Sequence, residues 1–245
     1  MAPQACLWSA APAELSLQEG EVHVWRAALD GQPGRPLAQT LSAGEQERAA
    51  RFHFEADRRR FVAGRGFLRA VLARYLRIEP GEVRFSYGEQ GKPTLPGDAG
   101  EGAIHFNLAH SGELALCAVA RREVGIDLEL IRPVSESAQI ADRYFSMRER
   151  AAFHSRPLEE AGEGFLRQWT RKEAYLKARG CGLSLEPDRV EVWGGQDGPL
   201  KLEVAGEPGE ATRWSLVDLT PGGGYVAALA VEGRDWSLSC WQWAG

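Results

Sequence analysis

The chain lacks the features that would put it in a membrane or on a metal-and-disulfide scaffold. It has no apolar run near the roughly 20 residues needed to cross a bilayer. Its first residues, Met1-Ala2-Pro3-Gln4-Ala5-Cys6-Leu7, hold no basic stretch followed by an apolar one, so no signal peptide is expected there. Cysteine is scarce. The four present, at positions 6, 117, 181 and 240, are far apart and form no CxxC pair. The expectation is free thiols in a reducing, cytoplasmic setting and no zinc site.

With 245 residues, 44% of them hydrophobic and 26% charged, the chain can bury a core as one large domain or two modest ones. The net charge of −5 is unevenly spread. Residues 44–77 hold nine arginines (48, 51, 58, 59, 60, 65, 69, 74 and 77) against four acids, a local +5, so the remainder carries −10. Such a run is either a solvated helix face or an anion site. Arg58-Arg59-Arg60 opens a helical pattern (Phe61, Phe67, Leu68, Val71, Leu72, Tyr75), which favours the anion site.

Periodicity predicts a mixed order. Strands are expected at 22–29, 83–87, 104–108, 114–121 and 124–131, and helices at 42–54 (Ser42 as N-cap), 58–77, 135–144, 146–154 and 160–179. Five further strands follow, at 189–193, 200–204, 213–219, 225–231 and 237–243. The segments 104–121 and 213–232 echo each other as strand, polar turn, apolar strand, each after a long helix. This points to two α+β halves, 1–125 and 126–245, with a ligand cleft between them.

Four motifs carry chemistry. In Val124-Gly125-Ile126-Asp127-Leu128-Glu129-Leu130, strand alternation puts Asp127 and Glu129 on one face, and Gly125 leaves room for a ligand to approach the backbone. In Trp169-Thr170-Arg171-Lys172-Glu173-Ala174-Tyr175-Leu176-Lys177, helical spacing puts Glu173 between Trp169 and Leu176 on the greasy side. A buried carboxylate needs positive charge nearby. Three carboxylates are hard oxygen ligands of the kind magnesium takes when it also holds phosphates, and lysines 172 and 177 suit phosphate neutralisation. Phe106-Asn107-Leu108-Ala109-His110-Ser111-Gly112 presents an imidazole at a strand end, and Gly91-Lys92-Pro93 is a turn. Each alone has a bland reading: an edge strand, i to i+4 charge pairing, a structural histidine, an ordinary loop.

Taken in order with Gly180-Cys181-Gly182-Leu183, these motifs resemble the 4′-phosphopantetheinyl transferase superfamily, in its longer two-half type serving peptide and polyketide synthetases. The resemblance runs from about residue 42 to 183. It implies an α+β fold of two similar halves in pseudo-twofold arrangement with the site in their cleft. It also implies a monomer that transfers the phosphopantetheine arm of coenzyme A to a serine of an apo acyl or peptidyl carrier protein, releasing adenosine 3′,5′-bisphosphate. By motif position, Asp127, Glu129 and Glu173 are the implied magnesium ligands, with manganese also acceptable. His110 would meet the diphosphate, Lys172 and Lys177 the phosphates, and Gly91, Lys92 and Pro93 the adenine. Arg48 and Arg60 would take the 3′-phosphate. Glu173, Glu149 (in Phe145-Ser146-x-x-Glu149) or a metal-held water would take the serine proton.

Two residues depart from the pattern. Ala109 stands where many relatives have serine, leaving only a backbone contact there, and Glu45 stands where some have lysine, shifting the 3′-phosphate onto Arg48, Arg51 and Arg60. Two other readings compete. One is a metal-dependent coenzyme A or nucleotide pyrophosphatase. The other is a basic nucleic-acid module, which the overall negative charge disfavours.

Overall fold

The computed structural model describes residues 6–30, 35–88, 90–97, 102–182, 185–195 and 198–244. A short strand β1 (Trp8–Ala10) precedes β2 (Glu21–Ala28), then helices α1 (Arg35–Gln39), α2 (Ala43–Ala50) and α3 (Glu55–Leu76). A small hairpin, β3 (Ser86–Tyr87) with β4 (Pro93–Thr94), leads to a large one, β5 (His105–Ser111) with β6 (Leu114–Ala120). Next come β7 (Val124–Leu130), α4 (Ser137–Tyr144), α5 (Met147–His154) and α6 (Leu158–Arg179). The chain ends with β8 (Val190–Gly194), β9 (Leu200–Val204), α7 (Glu210–Arg213), β10 (Trp214–Leu219), β11 (Tyr225–Glu232) and β12 (Ser237–Gln242).

One plan occurs twice. A strand (β2 or β7) is followed by a 22-residue helix (α3 or α6) and an antiparallel hairpin (β5–β6 or β10–β11). The second hairpin strand pairs back antiparallel with the first strand of its unit, giving the orders β2-β6-β5 and β7-β11-β10. The echo seen in the sequence is this repeat. The halves are not consecutive, however. β12 returns to the first sheet, parallel to β2, with β1 parallel on its outer side. A boundary at residue 125 also falls inside β7.

That return corrects the expectation of four free thiols. Cys6 and Cys240 form a disulfide, Cα atoms 5.8 Å apart, across 234 residues of sequence. No spacing rule links cysteines that far apart; the β1–β12 pairing brings them together. Cys117 is buried in the core of the first half.

The two sheets meet edge to edge. β5 closes the first sheet and β7 the second. Side chains join them: Asn107 Oδ1 accepts from the Ile126 backbone N at 2.9 Å, and Ser111 Oγ accepts from the Leu130 N at 3.1 Å. Both links span 19 residues, so β5 and β7 run parallel with His110 level with Glu129. An edge strand exposes backbone donors that need acceptors once buried. Here two side chains supply them.

The helices seat differently on their sheets. α3 packs through Phe67, Leu68, Val71 and Leu72 over Trp25 and Phe106. α6 packs through Ala174 and Ala178 over Ala228 and Ala230. Gly125 is the closest point. A Cβ there would stand 2.8 Å from Ala178 Cα and closer still to the Ala174 carbonyl and the Ala178 nitrogen. The space that the sequence reading reserved for a ligand is taken by α6 itself. Gly125→Ala should therefore destabilise the fold at the upper end of the about 1–3 kcal/mol typical of overpacking. Chemical unfolding measures this, and an unchanged midpoint would refute the close seating.

Candidate active site

Asp127 and Glu129 lie on β7 at the seam, as strand alternation predicts. Glu173 and Lys177 come from the flank of α6, each one residue before the alanines that seat the helix on β7. Lys177 Nζ donates to Asp127 Oδ1 at 2.5 Å. Asp127 is only 5% exposed, and its Oδ2 is buried with no partner among the described residues. Burial pushes the Asp127 carboxyl up to about 6; Lys177 opposes this, and Glu173 and Glu129 add to it. Glu173 is also raised, by burial and by Glu129, against Lys177. One lysine thus faces three carboxylates, and the excess negative charge is what a cation would relieve.

That surplus, with an orphaned buried oxygen, fits a hard divalent cation. Among the described residues no three such side chains already form a metal cage. Magnesium does not require one, because it is usually held by one or two carboxylates plus phosphate oxygens and water.

His110 stands on β5 across the seam, one residue before the strand's end. Desolvation first, then the charge of Lys177 and more weakly that of Arg60, hold its imidazole below the ordinary histidine value, against the pull of Glu129. It is therefore a neutral imidazole at pH 7, among positive charges suited to an anion. Ala109 beside it points into the core between the sheets. A residue there offers the cleft its backbone only.

Lys172 and Glu149 are not part of this cleft, which corrects two calls. Lys172 is 1% exposed and pairs with Glu149 in the interior while also donating to the Val190 carbonyl of β8. Glu149 closes the capping box of α5 with Ser146 and accepts from Gln168 at 2.6 Å and the Val192 N at 2.8 Å. With its oxygens so engaged, Glu149 is a structural carboxylate and not a base. The reason is helical angle: five residues separate Lys172 from Lys177, which turns them onto different faces. Burial lowers the Lys172 pKa, and Glu149 counters it.

The arginine run divides in the same way. Arg65 and Arg69 are tied to the buried Glu45 at 2.8 and 2.7 Å, and Arg69 also donates to the Val83 carbonyl. Glu45 itself closes the capping box of α2 with Ser42. So the Glu45 departure is the anchor of a three-residue core network. Arg48 and Arg51 remain at the surface in a shallow pocket with Gly44 and Phe52, Arg48 lying over the Phe61 ring. Arg60 is half-buried and pairs with Asp57 at 3.5 Å.

The Gly91-Lys92-Pro93 turn packs on the end of α6. Lys92 Cδ would lie 3.2 Å from a Cβ on Gly180, and Gln90 Oε1 2.9 Å from one on Gly182. Both glycines have positive φ, 65° and 52°, and Gly180 is the left-handed cap of α6. Lys92 Nζ donates to Glu123 at 2.8 Å and to the Ala178 carbonyl at 2.9 Å, so its charge serves the seam. Leu183, the last residue of the Gly-x-Gly-Leu motif, lies outside the described residues.

Residues 123–230 match the 4′-phosphopantetheinyl transferase superfamily, and residues 35–122 match the N-terminal part of a 4′-phosphopantetheinyl transferase. The chain is 45% identical to the 4′-phosphopantetheinyl transferase HetI of Nostoc sp., covering 96% of this chain and 98% of the relative. The chain belongs to the 4′-phosphopantetheinyl transferase superfamily. It is also 34% identical to the transferase Sfp of Bacillus subtilis, covering 69% and 77% of the two chains. Among solved structures the likeness is partial: the Thermotoga maritima holo-[acyl-carrier-protein] synthase is 25% identical over 46% of this chain and 64% of that one, with a TM-score of 0.38. Among the described residues, no helix of this transferase is long and apolar enough to cross a membrane.

Two predictions follow from the division of charges. Lys172→Met should cost about 3–5 kcal/mol by stranding a buried carboxylate, and pairing it with Glu149→Gln should restore much of that. A wild-type unfolding midpoint for Lys172→Met, or no recovery in the double variant, would contradict the assignment. The second concerns Glu123. Burial alone would raise its carboxyl, but hydrogen bonds from His105 and Lys92 and their charges hold it at about 2, below the usual 4.5. Its contribution to stability is complete above pH 4.5 and is lost as pH falls towards 2. Glu123→Gln should flatten the acid limb of stability in that window, and parallel limbs would exclude the effect.

Proposed function

We propose that this transferase moves the 4′-phosphopantetheine arm of coenzyme A onto a serine of an apo acyl or peptidyl carrier protein, as a cytoplasmic monomer dependent on magnesium or manganese. The observation that carries the reading is the convergence at one seam of Asp127, Glu129, Glu173 and Lys177 with His110 opposite. Phosphoryl transfer asks for positioning and charge neutralisation more than for covalent help. A divalent cation held by Asp127, Glu129 and Glu173 would supply Lewis-acid neutralisation of the phosphate oxygens.

The residues then have distinct tasks. The serine oxygen bonds to the phosphorus that bears pantetheine, and the bond from that phosphorus to the bridging oxygen breaks. The bridging oxygen leaves with adenosine 3′,5′-bisphosphate. Lys177, which holds Asp127 in the free enzyme, would turn to the transferred phosphoryl group. His110 offers a neutral N–H donor to the diphosphate. With Glu149 committed to Lys172, Glu173 or a water held by the cation would take the serine proton. Arg48, Arg51 and Arg60 are assigned to the 3′-phosphate, and the backbone of Gly91 and Pro93 to the adenine edge.

The monomer reading rests on the repeat: both halves of the cleft come from one chain. The cytoplasmic reading must accommodate the Cys6–Cys240 bond, because disulfides are rare in reducing compartments. Thiol alkylation of the protein as it comes from the cell decides whether that bond forms there.

The decisive assay is intact mass of an apo carrier protein after incubation with coenzyme A and magnesium, with and without chelator. A gain of one phosphopantetheine that chelator abolishes is expected. Asp127→Ala and Glu173→Ala should each lose about 100-fold or more of the rate with the fold kept. Coenzyme A hydrolysis without carrier modification would instead assign a pyrophosphatase.

A further inference from the structure

Ser111 lies beside His110 at the end of β5, and its hydroxyl is engaged as both acceptor and donor. Its hydroxyl accepts from the Leu130 N at 3.1 Å and donates its single proton to Glu129 Oε2 at 2.8 Å. A hydroxyl whose acceptor and donor are both engaged is fixed in rotation. The backbone around it is fixed as well. Gly112 takes φ 56°, and a Cβ there would lie 3.0 Å from the Tyr225 hydroxyl and 3.2 Å from Leu130 Cδ2. The Glu113 N donates to that same Tyr225 hydroxyl at 3.2 Å. The turn is thus bolted to β7 and β11, and Ser111 transmits that rigidity to one oxygen of Glu129.

We propose that Ser111 is a positioning residue for the metal carboxylate Glu129: it holds one carboxylate oxygen so that the other stays aimed into the cleft beside Asp127. This rests on the metal reading above. Glu129 stands at the half-buried end of β7, where a glutamate without a partner would sample several rotamers, and ordering it at the moment of binding would cost affinity. Outer partners of metal ligands typically contribute 10–100-fold in affinity. The same hydroxyl receives a backbone donor of the second half, so assembly of the seam and aim of the ligand depend on one atom.

The test is manganese binding followed by electron paramagnetic resonance in the presence of coenzyme A, with no carrier protein. Ser111→Ala should weaken manganese binding at least about tenfold, leave metal-free coenzyme A affinity within about twofold, and be rescued by Ser111→Thr, which keeps the hydroxyl. Should Ser111→Ala not fold, Ser111→Cys keeps the volume with a much weaker donor and should show the same loss. Wild-type manganese affinity in either variant, while Glu129→Ala loses it, overturns the positioning role. Wild-type affinity in Glu129→Ala itself overturns the metal reading instead.

Discussion

The structure depends on a seam at which two sheet edges meet without a backbone ladder. β5 and β7 run side by side, and two donors of β7 that face β5, the backbone N–H groups of Ile126 and Leu130, find side-chain acceptors on Asn107 and Ser111. Continuous ladder bonding would have merged the sheets and closed the cleft. Leaving the edges unmet would have stranded buried backbone donors, at about 1–3 kcal/mol each. Side-chain acceptors satisfy the donors while keeping the strands apart. The same segments carry His110 on one side and Asp127 and Glu129 on the other, so the candidate site stands where the two halves are joined.

Charge is then sorted by helix face. On α6, Lys172 and Arg171 turn to the interior and are matched there by Glu149 and Asp218, the latter pair bidentate at 2.7 and 2.9 Å. Lys177 turns to the cleft and meets more negative charge than it can neutralise. The distinction is between charges with satisfied partners, which stabilise, and a set with an imbalance, which is poised for a ligand. α3 repeats the division: Arg69 is buried on Glu45, whereas Arg60 on the same helix is half-buried and pairs only with Asp57 among the described residues.

Much of this was legible in the sequence because it depends on periodicity. Alternation in β7 put Asp127 and Glu129 on one face, and Ser42 and Ser146 announced helix starts that the structure caps with Glu45 and Glu149. What was not legible depends on which face of an element meets which neighbour. Lys172 and Lys177 share one motif, and nothing local says that β8 covers the first. Gly125 signalled close approach but not what approaches. Asn107 and Ser111 lay within a motif noted for its histidine, and their role needs the offset of 19 residues between β5 and β7. The return of β12 to the first sheet, with Cys240 beside Cys6, is a long-range pairing that a pattern of neighbours cannot carry.

The repeat raises the question of why only one half carries the carboxylates. Both halves have a leading strand under a 22-residue helix. In the first, large side chains (Trp25, Phe67, Leu68, Leu72) hold α3 away from its sheet. A carboxylate on β2 and a lysine on α3 would not meet across that layer. In the second, Gly125, Ala174, Ala178, Ala228 and Ala230 bring α6 to backbone distance from β7. Residues 173 and 177 flank those two alanines, so close seating delivers Glu173 and Lys177 to the edge where Asp127 and Glu129 stand. Small residues beneath α6 are thus the condition for the cluster of carboxylates and lysine. The bulky layer under α3 gives up that option and provides the larger hydrophobic core against which the seam is held.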